Sequence, residues 1–316
     1  MDAMLSRRAR LRAKYLQRDA ALRFLWAILR AGLLIGLCYV ILYPFFTKAI
    51  NAFKTYDDLI DPTVRFLPKH LTTEYVQRAL QKMQYPKALL NTVLLSTMVG
   101  AVQTIVCAVV GYGFAKFRFK GNGALFFFVI LMLVVPPQTI LGSLVRRAKA
   151  LLPILVPLFT KFRFFLGSIN LIDTPLPMLI MGLTCTGFKN GLYVFLFRQF
   201  FRNVPTELNE AASLDGYGPY RTFLHIMIPT AVPMLTTVFL LSFSWQWTDT
   251  LYNSLFFKNT PLLANTVSAV AAGELRAVAG NLTNAAALLA VLPLALVYIF
   301  AQKAFVGSID RAGLVG

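Results

Sequence analysis

Acidic residues are scarce in this chain: 13 Asp and Glu stand against 31 Lys and Arg in 316 residues, and charged residues of both signs make up only 14%. Soluble domains carry about 25% charged residues, so there is too little polar surface here to cover a water-soluble globule. That excludes an ordinary cytosolic enzyme. Histidine is limited to His70 and His225, and the three cysteines (Cys38, Cys107, Cys185) sit in apolar sequence without Cys-x-x-Cys or Cys/His spacing. They read as small buried apolar residues, not as a metal site or a disulfide. Neither the phosphate-cradling G-x-x-x-x-G-K-[ST] nor the zinc-binding H-E-x-x-H occurs. Any ATP used must therefore be bound by another chain. With 27 Phe and 57% apolar residues, disorder is excluded too. What remains is an integral membrane protein.

The net charge of +18 does not point to nucleic acid, because the bases gather between long apolar runs, as they do where a membrane protein sets its orientation. About 20 apolar helical residues cross a bilayer, and six stretches qualify as candidate spans: 31–47, 88–114, 121–145, 174–197, 226–248 and 277–302. The expected fold is therefore all-α and polytopic, with six transmembrane helices. Its expected organisation is a basic tail over 1–29, a first transmembrane helix and extracytoplasmic loop over 30–87, a core over 88–305 and a C-terminal tail over 306–316. The tail's Arg7, Arg8, Arg10, Arg12, Lys14, Arg18 and Arg23 place it in the cytoplasm by the positive-inside rule. Six spans then return the C-terminus to the same side.

Within the core, the loop over 203–229 reads Val204-Pro205-Thr206-Glu207-Leu208-Asn209-Glu210-Ala211-Ala212-Ser213-Leu214-Asp215-Gly216 and continues to Ile226-Met227-Ile228-Pro229. Pro205 and Thr206 are helix-start residues, Glu207 to Leu214 are good helix formers, and Gly216 tolerates left-handed geometry. The loop is expected to form a helix, a sharp glycine turn and a second short helix over 220–226.

Glu210-Ala211-Ala212, Gly216 and Ile226-x-Ile228-Pro229 resemble the EAA signature of ATP-binding-cassette importer permeases, with Ile228 where leucine is usual. Phe197-Arg198-Gln199-Phe200-Phe201, Gly111 to Phe119, and Leu292-Pro293 with Ala301-Gln302-Lys303 are similar to carbohydrate-type members, over about residues 85–316. The resemblance implies a type I importer permease fold in a bacterial plasma membrane. It implies a transport subunit, not an enzyme, that works by alternating access. The implied partners are a second homologous permease, two ATPase subunits that hold ATP and magnesium, an extracytoplasmic solute-binding protein and a carbohydrate substrate. It also implies that the loop is a coupling helix docking in the ATPase, with Glu210, Ala211, Ala212, Asp215, Gly216 and Pro229 as the coupling residues. The tail over 306–316 resembles a glycine-rich tail that reaches the ATPases.

Ionisable groups inside spans are functional candidates by default. Lys189 lies within the fourth expected span, and Asp249 closes Trp245-Gln246-Trp247-Thr248-Asp249. That element resembles one at the outer end of the fifth helix of sugar permeases, although interfacial tryptophan serves equally as a bilayer anchor. Lys189, Asn190, Tyr193, Gln246, Trp247 and Asp249 are the substrate-path candidates, and Gln103 is a weaker one. A rival reading takes Asp57, Asp58 and Asp61 as the D-D-x-x-D of a membrane prenyltransferase, but no second acidic cluster accompanies them. Twelve bases in 48–87 and 146–163 face five acids (Asp57, Asp58, Asp61, Glu74, Asp173) in the outer segments. This excess favours an acidic saccharide or an acidic face on the binding protein.

Overall fold

The computed structural model describes residues 2–64, 67–134, 172–187 and 189–313. Their structure is helical: among the described residues there is no strand, only one isolated antiparallel bridge between Lys54 and Leu71. In chain order the helices are α1 (Asp2–Ala52), α2 (Tyr56–Ile60), α3 (Glu74–Lys82), α4 (Tyr85–Lys116) and α5 (Asn122–Val134), then α6 (Leu176–Leu183), α7 (Asn190–Asn203), α8 (Glu207–Leu214) and α9 (Pro219–Thr222). A π-helical turn (Phe223–Met227) leads into α10 (Ile228–Thr230), α11 (Val232–Thr248), α12 (Leu251–Phe256), α13 (Leu263–Ala269) and α14 (Arg276–Gly313).

Helix α4 is the axis of the core. Ala88, Thr92, Ser96, Gly100, Thr104 and Ala108 recur every fourth residue along its buried face. This stripe of small residues lets neighbouring backbones approach closely, which is how helices associate where lipid removes the hydrophobic drive. Helices α7 and α11 pack along it. The closest approach is at Gly111, where a Cβ would lie 2.5 Å from Phe197 Cβ and 3.0 Å from the Arg198 nitrogen. At one end of the axis Lys116 Nζ donates to the Val204 carbonyl at 2.9 Å. At the other, Asn91 Nδ2 donates to the Pro261 carbonyl at 3.1 Å.

Among the described residues, three helical stretches are long and apolar enough to cross a membrane: Leu22–Ala52, Tyr85–Lys116 and Val278–Gln302; a fourth is made if the bent pair Pro219–Thr230 and Val232–Thr248 counts as one. The expected first span starts too late, since apolar helix begins at Leu22 and is continuous with the basic segment. Cys38 on it is exposed, contrary to the buried position expected. The third expected span is described only as α5; its remainder, and the stretch after it that carries Arg146, Arg147, Lys149, Lys161 and Arg163, lie outside the described residues. The fourth is not one helix: α6 ends at Leu183 and α7 starts at Asn190. Cys185 and Lys189 in the gap both take positive φ, 56° and 65°, a conformation that no helix interior accepts. The fifth expected span includes a 76° bend, leaving α11 to begin at Val232. Over 306–313, where a tail is expected, α14 continues as helix.

At the end of the core away from α8, the segment between α1 and α4 is a small folded cap. Asp58 is buried, and its carboxylate accepts the His70 N–H at 2.9 Å. Asp61 pairs with Lys69 at 2.6 Å and accepts from Thr63. These bonds hold the Asp61 carboxyl well below the usual carboxylate range and commit two of the three D-D-x-x-D carboxylates to the cap itself. Lys54 Nζ is buried on the Val64 carbonyl. Glu274, absent from the acids counted above, receives Arg78 at 2.9 Å and Lys82 at 2.5 Å. Four of the seven bases in 48–87 thus have partners within the protein, but Lys54 rests on a neutral carbonyl and Arg78 and Lys82 share Glu274, so positive charge still exceeds negative charge in this segment.

Glu274 ties α3 to the turn before α14, and the Lys82 ammonium, followed by Arg78, lowers its pKa. A depressed folded-state pKa stabilises above the unfolded value, near 4.3, and that stability is lost as pH falls through the folded value. Glu274→Gln is therefore expected to lower the melting temperature at pH 7, with the gap to the native chain closing on acidification below pH 4. Thermal unfolding across that range is the check.

Candidate functional site: the 207–230 loop and the polar break

Helix α8 ends in a Schellman turn. The Tyr217 N–H bonds the Ala212 carbonyl at 2.9 Å and the Gly216 N–H bonds that of Ser213 at 3.1 Å. This 6→1 and 5→2 pair requires a left-handed residue at its centre, and Gly216 supplies it with φ +79°. Thr206 occupies the start of the helix as expected, yet its side chain makes no capping bond. The second short helix begins at Pro219, one residue earlier than expected, and passes at Phe223 into the π turn. Pro229 has no N–H to offer the carbonyl four residues back, and the bend at Ala231 follows.

The EAA residues divide by exposure. Ala212 is buried, whereas Glu210, Ala211 and Asp215 are exposed. Asp215 caps the helix, its N–H on the Ala211 and Ser213 carbonyls. Two residues missed in the sequence stand out beside them: Leu214 is 90% exposed and Tyr220 is 87% exposed. Their signal was present, as large apolar side chains in an otherwise polar loop. Behind the loop, Tyr112 of α4 lies edge-on to Phe201 of α7, with centroids 5.4 Å apart, and 4.8 Å from Phe223 of the π turn. Phe197 stacks on Phe201 at 6.2 Å. The loop is thereby joined to both core helices by aromatic rings.

The second locus is the break between α6 and α7. Helix α7 has 14 residues, about 21 Å at 1.5 Å per residue, which is shorter than a bilayer core of about 30 Å. Irregular backbone inside a bilayer must satisfy itself or line a cavity. Here the Thr186 and Gly187 N–H groups share the Met181 carbonyl, and Asn190 N–H bonds that of Gly187. Gln103 of α4 closes over Gly187, its Nε2 2.9 Å from where a Cβ would stand. Gln103 also accepts the Ser242 hydroxyl of α11. Asn190 and Tyr193 are fully buried, with Asn190 Oδ1 and the Tyr193 hydroxyl unpaired.

The expected path residues separate here. Gln246 is buried and donates to Asn253 Oδ1 at 3.0 Å. Trp247 is buried and donates to the Ala290 carbonyl at 3.0 Å, so its indole is a helix-packing group and not an interfacial anchor. Asp249 ends α11, with Oδ1 accepting the Leu251 and Tyr252 N–H groups at 3.0 and 3.3 Å. Lys189 is half-buried at the break, and its ammonium lies 4.8 Å from the ring centroid of Trp245. Trp245, missed among the candidates, is the outward-facing residue of the Trp-Gln-Trp element.

Comparison with known proteins agrees with this architecture. The sequence profile of the binding-protein-dependent transport system inner membrane component matches residues 104–311, and the chain belongs to that family, the permeases of ATP-binding-cassette importers. It is 26% identical to a probable ABC transporter permease protein of Pyrococcus horikoshii, covering 89% of this chain and 93% of that one. It is equally 26% identical to a maltodextrin transport system permease protein of Bacillus subtilis, over 89% and 93% of the two chains. Among solved structures, it resembles a chain from a bacterial ABC transporter involved in import of the acidic polysaccharide alginate, with a TM-score of 0.65 and 19% identity over 88% of this chain and 96% of that one.

Proposed function

We propose that this permease moves a carbohydrate into the bacterial cytoplasm by ATP-driven alternating access, and that α8 is the coupling helix through which ATPase subunits drive it. The observation that carries this reading is the exposed pair Leu214 and Tyr220 on either side of the Gly216 turn, beside exposed Glu210 and Ala211. Large apolar side chains at the tip of a polar loop fit a pocket on a partner. Glu210 adds a charge partner at the rim, and exposed Ala211 allows close approach.

In this mechanism ATP and magnesium are bound by two partner ATPases, and their closure displaces α8. The Schellman turn keeps the loop rigid, and the Tyr112, Phe201 and Phe223 rings pass the displacement to α4 and α7. The π turn and the bend at Ala231 give α11 a joint; π turns recur at functional sites. The N- and C-termini lie in the cytoplasm with α8. A second, homologous permease covers the exposed faces of the core, and an extracytoplasmic binding protein delivers substrate to the opposite end. The path for substrate runs past the break and the outer end of α11, where Asn190, Tyr193 and Asp249 keep polar atoms without partners. Relatives named for maltodextrin and starch products support a carbohydrate cargo.

Leu214→Asp tests the coupling contact. The side chain is exposed, so the melting temperature should not move, while loss of one central apolar anchor costs about 2 kcal/mol or more of binding. In proteoliposomes holding the complete assembly, substrate uptake is expected to fall about tenfold or more. Uptake at the native level in Leu214→Asp would contradict the assignment.

A further inference from the structure

We propose that the α8 end of the core binds the phosphodiester headgroup of an anionic phospholipid, held by Arg198 and Arg202 of α7 with Arg118 and Lys120 of the α4–α5 turn. The inference is independent of the cargo and of the coupling role of α8. Arg198 lays its guanidinium on the Phe126 ring of α5, 3.7 Å from the centroid. Its Nε is buried without a partner. Neither its side chain nor those of Arg202, Arg118 and Lys120 make a hydrogen bond or ion pair among the described residues. A guanidinium carries five N–H donors, and donors left without acceptors away from water are costly. Arg202 follows four residues on, so two like charges lie about 5–6 Å apart at their roots on one helix face. An anion between them supplies the acceptors and turns the repulsion into attraction.

Depth decides the class of anion. Lys116 ends the apolar run of α4 and so marks the bilayer surface. Gly111, five residues inward, is where the Arg198 backbone crosses α4, which roots Arg198 about 7.5 Å below that level and Arg202 about one turn nearer to it. An arginine at such a depth snorkels toward headgroups. The surface beside it is aromatic and partly open. The Phe126 ring lies 5.7 Å from Phe114 and 6.4 Å from Phe195, and Phe114 lies 6.2 Å from Phe119, which is exposed between Arg118 and Lys120. Apolar surface for an acyl chain thus adjoins four bases for a phosphate, a combination that fits a lipid better than a free anion. Arginine's planar fork matches phosphate oxygens in pairs, and basic pockets between transmembrane helices take anionic headgroups in this way. Glu207, Glu210 and Asp215 of α8 share this end of the core, yet none of them pairs with the four bases.

The test uses the full-length chain in a neutral detergent and follows its melting temperature as phosphatidylglycerol, phosphatidylcholine or inorganic phosphate is added at matched phosphate concentration. Phosphatidylglycerol is expected to raise it by several degrees, phosphatidylcholine by less and inorganic phosphate not at all. In Arg202→Gln, at an exposed position where folding should not suffer, the apparent affinity for phosphatidylglycerol should fall about tenfold, the size of one charge-assisted hydrogen bond. Adding Arg198→Gln should bring the loss to about a hundredfold. Lys48→Gln combined with Lys87→Gln removes the same charge near the cap and should keep the native affinity. A phosphatidylcholine shift as large as that of phosphatidylglycerol overturns the site, and so does a shift from inorganic phosphate alone. Unchanged affinity in Arg202→Gln, or an equal loss in the Lys48 and Lys87 variant, has the same consequence. No response to any of the three probes leaves these bases to a protein partner and overturns the lipid site as well.

Discussion

Uptake is expected to be abolished in Gly216→Val, with the protein still inserted in the membrane and its melting temperature unchanged within a few degrees. Gly216 stands at φ +79° and a Cβ there would meet nothing within 4 Å. The penalty is therefore conformational and not steric crowding. An L-residue in left-handed geometry costs about 1–2 kcal/mol, and a β-branched one more. The cheapest escape is to unwind the Schellman turn, which moves Leu214 and Tyr220 out of register. Asparagine tolerates this geometry, so Gly216→Asn is expected to keep most of the uptake. Equal loss in both variants would show that something other than the turn is at stake.

Gly111→Val is expected to have the opposite signature, a lost fold and not lost coupling. Its Cβ would lie 2.5 Å from Phe197 Cβ and against the α7 backbone, so α4 and α7 must separate along the face that also holds the Tyr112 and Phe201 rings. Overpacking of this kind costs about 1–3 kcal/mol and sometimes more. Here rigid backbone is the obstacle, so the upper end applies. The measurable result is a melting temperature lower by several degrees and a reduced yield of intact assembly, with uptake falling in proportion to the protein that remains. A Gly111→Val chain of native stability would mean that the two helices do not cross as described.

The 207–230 loop was legible because its determinants are local. Helix formers, a left-handed glycine and a proline follow one another in Glu207 to Pro229, and the Schellman turn appears with the expected residue at its centre. The fourth span was not legible, because nothing in Thr184-Cys185-Thr186-Gly187 is polar enough to interrupt a hydropathy reading. At the break Gly187 lies against the Gln103 amide of α4, a tertiary contact that no local pattern encodes. The packing of Trp247 was not legible for a similar reason. Alternating neighbours along α11 point to different helices, so Trp247 packs on α14 while Trp245 faces outward to meet Lys189. The charge count of the outer segments missed Glu274, which lies 196 residues from Arg78 in sequence but at 2.9 Å in the fold.

The α8 assignment is tested most directly by placing a photo-reactive amino acid at position 214 in the assembled transporter and identifying what it captures. The coupling-helix account predicts a single major adduct to the ATPase subunit, with a yield that changes when ATP is bound and hydrolysed. Capture of lipid or of the partner permease alone, with no ATPase adduct in a transport-competent assembly, would contradict it.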